Sequence, residues 1–368
     1  MASKILVFRI GSLGDNLVVL PAIWAIRENF PDASLYLLGS KFQGSNRVMG
    51  QEIFEGSGLF NGYFEYPNPV SFGKFGRLLF PLPLAKLFFD LKREGFETLV
   101  YLAPSNRSQR QIERDRKFFR LAGIKRFIGM EGFQPLPKQV EGQSLPLVPS
   151  EADLLLSRLK ASGLRVPDPG FGKIGLNFKK EERASLNEIL ITLPKDGEKT
   201  WIGIGPGSNQ PAKIWPKDRY KEVVSQLISK HDVWPVVFGG KEDKFLGDEL
   251  LAGWKRGYNF AGLLPVRLAG LAFERCQIYL GNDTGTMHLA ASVGIPCVAI
   301  FSSHNYPGKW YPYGSNHHVF YKHVDCEGCG LVECIEEKMK CILSIQPKEV
   351  LKACEQIMDS MVEPKNIL

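Results

Sequence analysis

Two kinds of hydrophobic segment alternate along this chain. Short, nearly continuous aliphatic runs give way to stretches in which apolar residues return at helical spacing. Unbroken apolar runs of about four to eight residues suit strands buried on both faces of a parallel sheet, and the longer period suits amphipathic helices. A first series has strands at 4–10, 34–38, 98–102 and 126–129. Its helices lie around 21–29, in part of 75–93, over 106–122 up to Gly123, and over 151–162 up to Gly163. A second series has strands at 201–204, 234–238, 276–280 and 298–301, with a helix over about 217–230. The stretch 165–175, with Pro167, Pro169 and three glycines, reads as a linker, and 347–361 reads as a terminal helix. The expected fold class is therefore α/β, with two doubly wound units, 1–170 and 171–345, followed by a helical tail over 346–368. Ligands of such folds sit at the carboxyl ends of strands, and the crevice between two units is the default site.

Composition sharpens this reading. A chain of 368 residues with 44% hydrophobic content can bury more than one core. Met1-Ala-Ser-Lys4 runs straight into strand-like sequence with no secretory signal, so a cytoplasmic protein is expected. The most apolar window, Leu78 to Phe89, is broken by Pro81, Pro83 and Lys86, and is too short to span a bilayer. A net charge of +7 and a pI near 8.9 point to an anionic partner: nucleic acid, a phosphorylated small molecule or a phospholipid surface.

Candidate chemistry gathers where strands end. Cys276 to Phe301 reads as strand, polar loop, short helix and strand, with Asp283, Thr284, Gly285, Thr286, Met287 and His288 at the junction. A helix opening there presents unpaired N–H groups and a positive dipole end, which suits an anion. The plain alternative is that Asp283 caps the helix and His288 packs in the core. Gly205-Pro-Gly-Ser208-Asn209 followed by Lys213 places glycines, a hydroxyl and a lysine ahead of another helix, donors that suit phosphate oxygens. Asp15, after Gly11-Ser-Leu-Gly14, stands at the end of the first strand as either a proton acceptor or a helix cap. The turn is not G-x-G-x-x-G, and Leu38-Gly39-Ser40 ends the second strand without an acid, which argues against a nicotinamide cofactor. There is no D-x-D pair to bridge a nucleotide sugar through a metal.

Arg107, Arg110, Arg114 and Lys117 fall on one helical face, a stripe that suits an anionic acceptor or simply a solvated surface. Basic and apolar residues mixed over 75–93 permit shallow membrane contact or core packing. Of seven cysteines, Cys326, Cys329, Cys334 and Cys341 crowd together at a spacing that could hold structural zinc or an iron–sulfur cluster, with free thiols as the alternative.

Taken in order, Ile5-Leu-Val-Phe-Arg-Ile-Gly-Ser-Leu-Gly-Asp15, Ala122-Gly-Ile-Lys-Arg-Phe-Ile-Gly129, Pro206-Gly-Ser208, Lys213-Ile-Trp-Pro216 and Gly281-Asn-Asp-Thr-Gly-Thr-Met-His288 resemble glycosyltransferase family 9, the lipopolysaccharide heptosyltransferases. The resemblance implies a GT-B architecture of two Rossmann-like domains, with the terminal helix packing back toward the first. It implies an inverting, metal-independent transfer of a sugar, such as heptose from ADP-heptose, to an anionic inner-core glycolipid. It assigns Asp15 as base, Ser208 and Lys213 to the phosphates, Asp283 to the sugar hydroxyls, and Thr284 to His288 to the diphosphate. A monomer that needs no cofactor for catalysis is expected, working in the cytoplasm or against the inner face of its membrane. Ser302-Ser303-His304 departs from the glycine usual in the family after Phe301. The rival activities are transfer of another sugar and nucleotide-sugar epimerisation, which would convert the donor with no acceptor present. A non-catalytic binder of anionic lipid or nucleic acid would show no donor binding, and in the nucleic-acid case steep salt dependence.

Overall fold

The computed structural model describes residues 3–40, 47–67, 81–140, 142–195 and 199–362. Two compact units emerge, one from 1–136 and 151–179, the other from 137–150 and 180–368. The first is built on five parallel strands: β1 (Lys4–Phe8), β2 (Ser34–Ser40), β3 (Gly62–Tyr66), β4 (Thr98–Tyr101) and β5 (Arg126–Ile128), in the order β3-β2-β1-β4-β5. In the second, β6 (Trp201–Gly205), β7 (Trp234–Val237), β8 (Tyr258–Asn259), β9 (Cys276–Asn282), β10 (Cys297–Ile300) and β11 (His318–Phe320) are ordered β11-β10-β9-β6-β7-β8. Among the described residues every strand pairing is parallel, and both orders are the Rossmann arrangement. The order reverses between β1 and β4 in one sheet and between β6 and β9 in the other. Those are the switch points at which a doubly wound sheet opens a ligand crevice.

The central strands are buried on both faces, which is why they read as unbroken apolar runs. Ile5 to Phe8 and Ile278 to Leu280 are all essentially inaccessible. The strands β3, β8 and β11 lie at or next to sheet edges, and their mixed sequences gave no such signal.

The unit boundary departs from the expected division at 170. The 165–175 stretch lies against the first unit: Asn29 Nδ2 donates to the Arg165 carbonyl at 2.7 Å, and the Lys173 ammonium sits 3.5 Å from the Trp24 ring centroid. The chain changes units at the helix Lys180–Ile191, where Arg267 holds Glu182 at 2.5 Å and Arg183 holds Glu274 at 2.6 Å. Earlier, 137–150 makes an excursion into the second unit, where Val148 N–H donates to the Pro307 carbonyl and Leu145 N–H to Glu327. The terminal helix Pro347–Val362 packs on the second core. Its Val350, Leu351, Cys354 and Met358 join Tyr220, Val224 and Leu227 of the helix Lys217–His231 in one apolar cluster, and that burial fixes its place. Among the described residues no helix is long and apolar enough to cross a membrane. Residues 75–80 of the basic and apolar segment lie outside the described residues; its helix is Pro81–Glu94.

Candidate active site

In the second unit, the switch point brings the two predicted loops together. Lys213 Nζ donates to Asp283 Oδ2 at 2.6 Å, with side-chain exposures of only 13% and 6%. Asn282 makes this possible. Fully buried at the end of β9, it accepts from Trp215 N–H at 3.1 Å and Tyr220 Oη–H at 2.8 Å, and donates to the Pro206 carbonyl at 2.7 Å. One amide thus ties the loop after β6, the segment carrying Lys213 and the end of β9. Sequence reading passed over it, because an Asn before an Asp in a loop looks like turn chemistry.

Behind the pair the helix Gly285–Ser292 begins, with Thr284 as an extended N-cap whose hydroxyl makes no capping bond. That hydroxyl lies 2.8 Å from Thr286 Oγ1, which lies 2.9 Å from Tyr279 Oη, so the helix's first N–H groups are left to an incoming acceptor. The two glycines paired across β6 and β9 make room for Tyr279 Oη: a Cβ at Gly205 would stand 2.0 Å from it, and one at Gly281 2.2 Å. Ser208 Oγ accepts from Gln210 N–H at 3.1 Å, so its hydroxyl already closes a local turn. Met287 and His288 are buried, and the His288 N–H already donates to the Thr284 carbonyl at 3.4 Å, so the amides left for an anion are those of the residues before it.

His304, in the segment that departs from the usual family pattern, is buried beside this pair. Burial first, and the Lys213 charge second, pull its imidazole down to about 4 against the opposing pull of Asp283. It is therefore neutral at pH 7 and able to give or accept a hydrogen bond without adding charge.

In the first unit, Asp15 lies at the switch point between β1 and β4, in the first turn of the helix Leu13–Leu17. Its Oδ2 accepts from Ser12 N–H at 2.9 Å and lies 3.3 Å from Ser12 Oγ. Ser12 rather than Asp15 is the N-cap, and Asp15 closes the capping box from the third helical position while still 30% exposed. Gly11, at φ +137°, has no room for a side chain, since a Cβ there would stand 2.2 Å from that of Asp15.

The arginine stripe divides. Arg107 precedes the helix Gln109–Leu121, and its guanidinium reaches the buried Asp115 at 3.6 Å; Arg114 binds the same carboxylate at 2.7 Å. One carboxylate offsets about one of these two positive charges, and Arg114 stays largely exposed. Arg110 is exposed in the helix's first turn.

The cysteine cluster does not form a thiolate tetrahedron. Among the described residues, the group close enough to share a metal is Asp325, Cys326 and Glu337. Lys340 already pairs with both acids of that group, which supplies the cation a metal would otherwise provide. Cys329 is exposed, and Cys334 and Cys341 are half-buried.

Residues 170–340 match the sequence family described as glycosyltransferase family 9 (heptosyltransferase). Lipopolysaccharide heptosyltransferase 2 of Salmonella typhimurium is 36% identical over 112 residues, which is 28% of this chain and 31% of that protein. The chain thus matches about a third of that relative's length. Lipooligosaccharide heptosyltransferase 2 of Campylobacter jejuni is 23% identical over 363 residues, 94% of this chain and 95% of that protein. The solved structure of E. coli ADP-heptose lps heptosyltransferase II superposes with a TM-score of 0.66 at 20% identity, covering 98% of this chain and 100% of that one. That likeness supports the GT-B assignment.

Proposed function

The chain belongs to glycosyltransferase family 9, and from that premise we propose that it transfers a heptose from ADP-heptose to a lipopolysaccharide inner-core acceptor, inverting the anomeric carbon without a metal. The observation that carries this reading is the Lys213–Asp283 pair at 2.6 Å in front of the uncapped start of Gly285–Ser292. A nucleotide-diphosphate sugar meets complementary groups there. Lys213 and the amides from Gly285 onward neutralise the diphosphate as it leaves, and Asp283 accepts hydrogen bonds from sugar hydroxyls.

Asp15 is the base. As the acceptor oxygen bonds to the anomeric carbon, its proton passes to the Asp15 carboxylate and the carbon–oxygen bond to the diphosphate breaks, which leaves ADP with the departing electron pair. Attack from the face opposite the leaving group inverts the centre. Arg110 contributes positive charge toward an anionic acceptor. The exposed Leu82 and Phe89 beside Lys86 and Arg93, on the helix Pro81–Glu94, suit contact with an anionic lipid surface at the cytoplasmic face of the inner membrane.

The test is incubation of the purified protein with ADP-heptose and truncated lipopolysaccharide in the presence of a chelator, with product mass and anomeric configuration read out. Heptose addition with inversion is expected. Consumption of donor with no acceptor present would point to epimerisation instead. Asp15→Asn should lower turnover by about a hundred- to ten-thousandfold, and near-normal turnover removes it as the base.

A further inference from the structure

Beneath Asp15 lies a run of buried charge that the transfer scheme does not use. Arg9, Glu151 and Arg158 are each no more than 1% exposed. Arg9 follows β1 directly, and its Nη1 donates to the Leu102 carbonyl at 3.0 Å and lies 3.9 Å from Glu151 Oε1. Its Nη2 is 3.5 Å from Asp15 Oδ1. Glu151 Oε1 also accepts from Ser105 N–H at 2.8 Å and lies 3.2 Å from Ser105 Oγ, which anchors it to the loop after β4. Arg158 Nη2 donates to the Ala103 carbonyl at 2.7 Å, and its guanidinium lies 4.0 Å from the Phe133 ring centroid. Burial holds both guanidiniums below their ordinary range, Arg158 at about 10, while Glu151 pulls each the other way.

Stability alone is a poor reason for such a network. Desolvating these charges costs several kcal/mol each, and apolar residues of similar shape often serve a core as well or better. The polar atoms are not even fully used: Arg9 Nε and Glu151 Oε2 have no hydrogen-bond partner among the described residues. What the network does achieve is geometric. Asp15 Oδ2 is held from one side by Ser12, and Oδ1 is approached from below by Arg9. Two directions of restraint stop the carboxylate rotating about its Cβ–Cγ bond.

We propose that Arg9, braced by Glu151, is a positioning residue for Asp15, fixing the carboxylate so that it faces the acceptor hydroxyl. Glu151 and Asp15 together face Arg9 and Arg158, two carboxylates against two guanidiniums, so the guanidinium orients the base within a network that carries no net charge. This rests on Asp15 being the base, and a double-mutant cycle separates the two ideas. Turnover and donor affinity are measured for the wild type, Asp15→Asn, Arg9→Met and the double variant, with ADP as the calorimetric probe.

Arg9→Met should lower kcat by about ten- to a hundredfold, the scale of a misplaced catalytic group. ADP affinity should stay within about twofold, and in the Asp15→Asn background Arg9→Met should cost less than about twofold. Equal losses in both backgrounds would overturn the inference and leave Arg9 a structural residue. Near-normal turnover of Asp15→Asn would remove the base assignment and the inference with it. Should Arg9→Met fail to fold, Glu151→Gln, which keeps an acceptor for Ser105 N–H, runs the same cycle under the same criteria.

Discussion

Replacing Lys213 by Met keeps the aliphatic stem and removes the charge, which leaves Asp283 buried without its partner. Because the two side chains are 13% and 6% exposed and 2.6 Å apart, solvent can do little to compensate. Breaking such a pair from one side costs about 3–5 kcal/mol, most of it the penalty of the stranded charge. His304 is a weak substitute for the lost cation at pH 7, since burial, the larger of the two effects that lower its imidazole, persists when Lys213 is gone. The double variant Lys213→Met/Asp283→Asn strands nothing, and should recover stability to within about 1 kcal/mol of wild type. Both variants should bind ADP about ten- to 150-fold more weakly, the equivalent of one lost charge-assisted hydrogen bond of about 1.5–3 kcal/mol. Urea unfolding reports the first quantity and titration calorimetry the second. A single variant that loses less than about 1 kcal/mol, or a double variant no more stable than the single, would refute the account of the pair. Unchanged ADP affinity would remove Lys213 from the donor site.

Gly205→Ala should destabilise the second unit by about 1–3 kcal/mol in thermal unfolding and weaken ADP binding. Its Cβ would meet Tyr279 Oη at 2.0 Å and Thr286 Oγ1 at 2.8 Å; a silent substitution would show that the hydroxyl chain is dispensable. For His304, an unfolded chain with the ordinary value of 6.5 binds more protons than the folded one between about pH 4 and 6.5. Its contribution is therefore complete above pH 6.5 and lost as the pH falls toward 4, and His304→Asn should flatten the stability–pH curve there by on the order of 3 kcal/mol; an unchanged curve would contradict the assignment. Arg110→Glu should raise the acceptor's KM with little change in melting temperature. Arg107→Glu, which places a carboxylate beside the buried Asp115, should lower the melting temperature as well, and identical behaviour of the two variants would contradict the division of the stripe.

The chain's own pattern was enough to find its central strands and most of its longer helices, because parallel strands buried on both faces and amphipathic helices leave distinct periodicities. It also singled out Asp15, Lys213 and Asp283 as candidates, since chemistry in such folds follows strand ends. The family resemblance then gave those residues their expected roles. Local sequence does not encode strand order, and order is what puts β6 beside β9 and β1 beside β4. Only that adjacency closes Lys213 onto Asp283 across 70 positions of sequence and sets Asn282 between their loops. The same holds for burial. Arg107 and Arg114 looked free on a helical projection until Asp115 proved to be buried between them, and Arg9 looked like an ordinary strand-end arginine until Glu151 arrived from 142 positions away. Periodicity reports which face of an element is apolar, a local property. Which charges meet, and how far water is kept from them, is decided when distant segments pack.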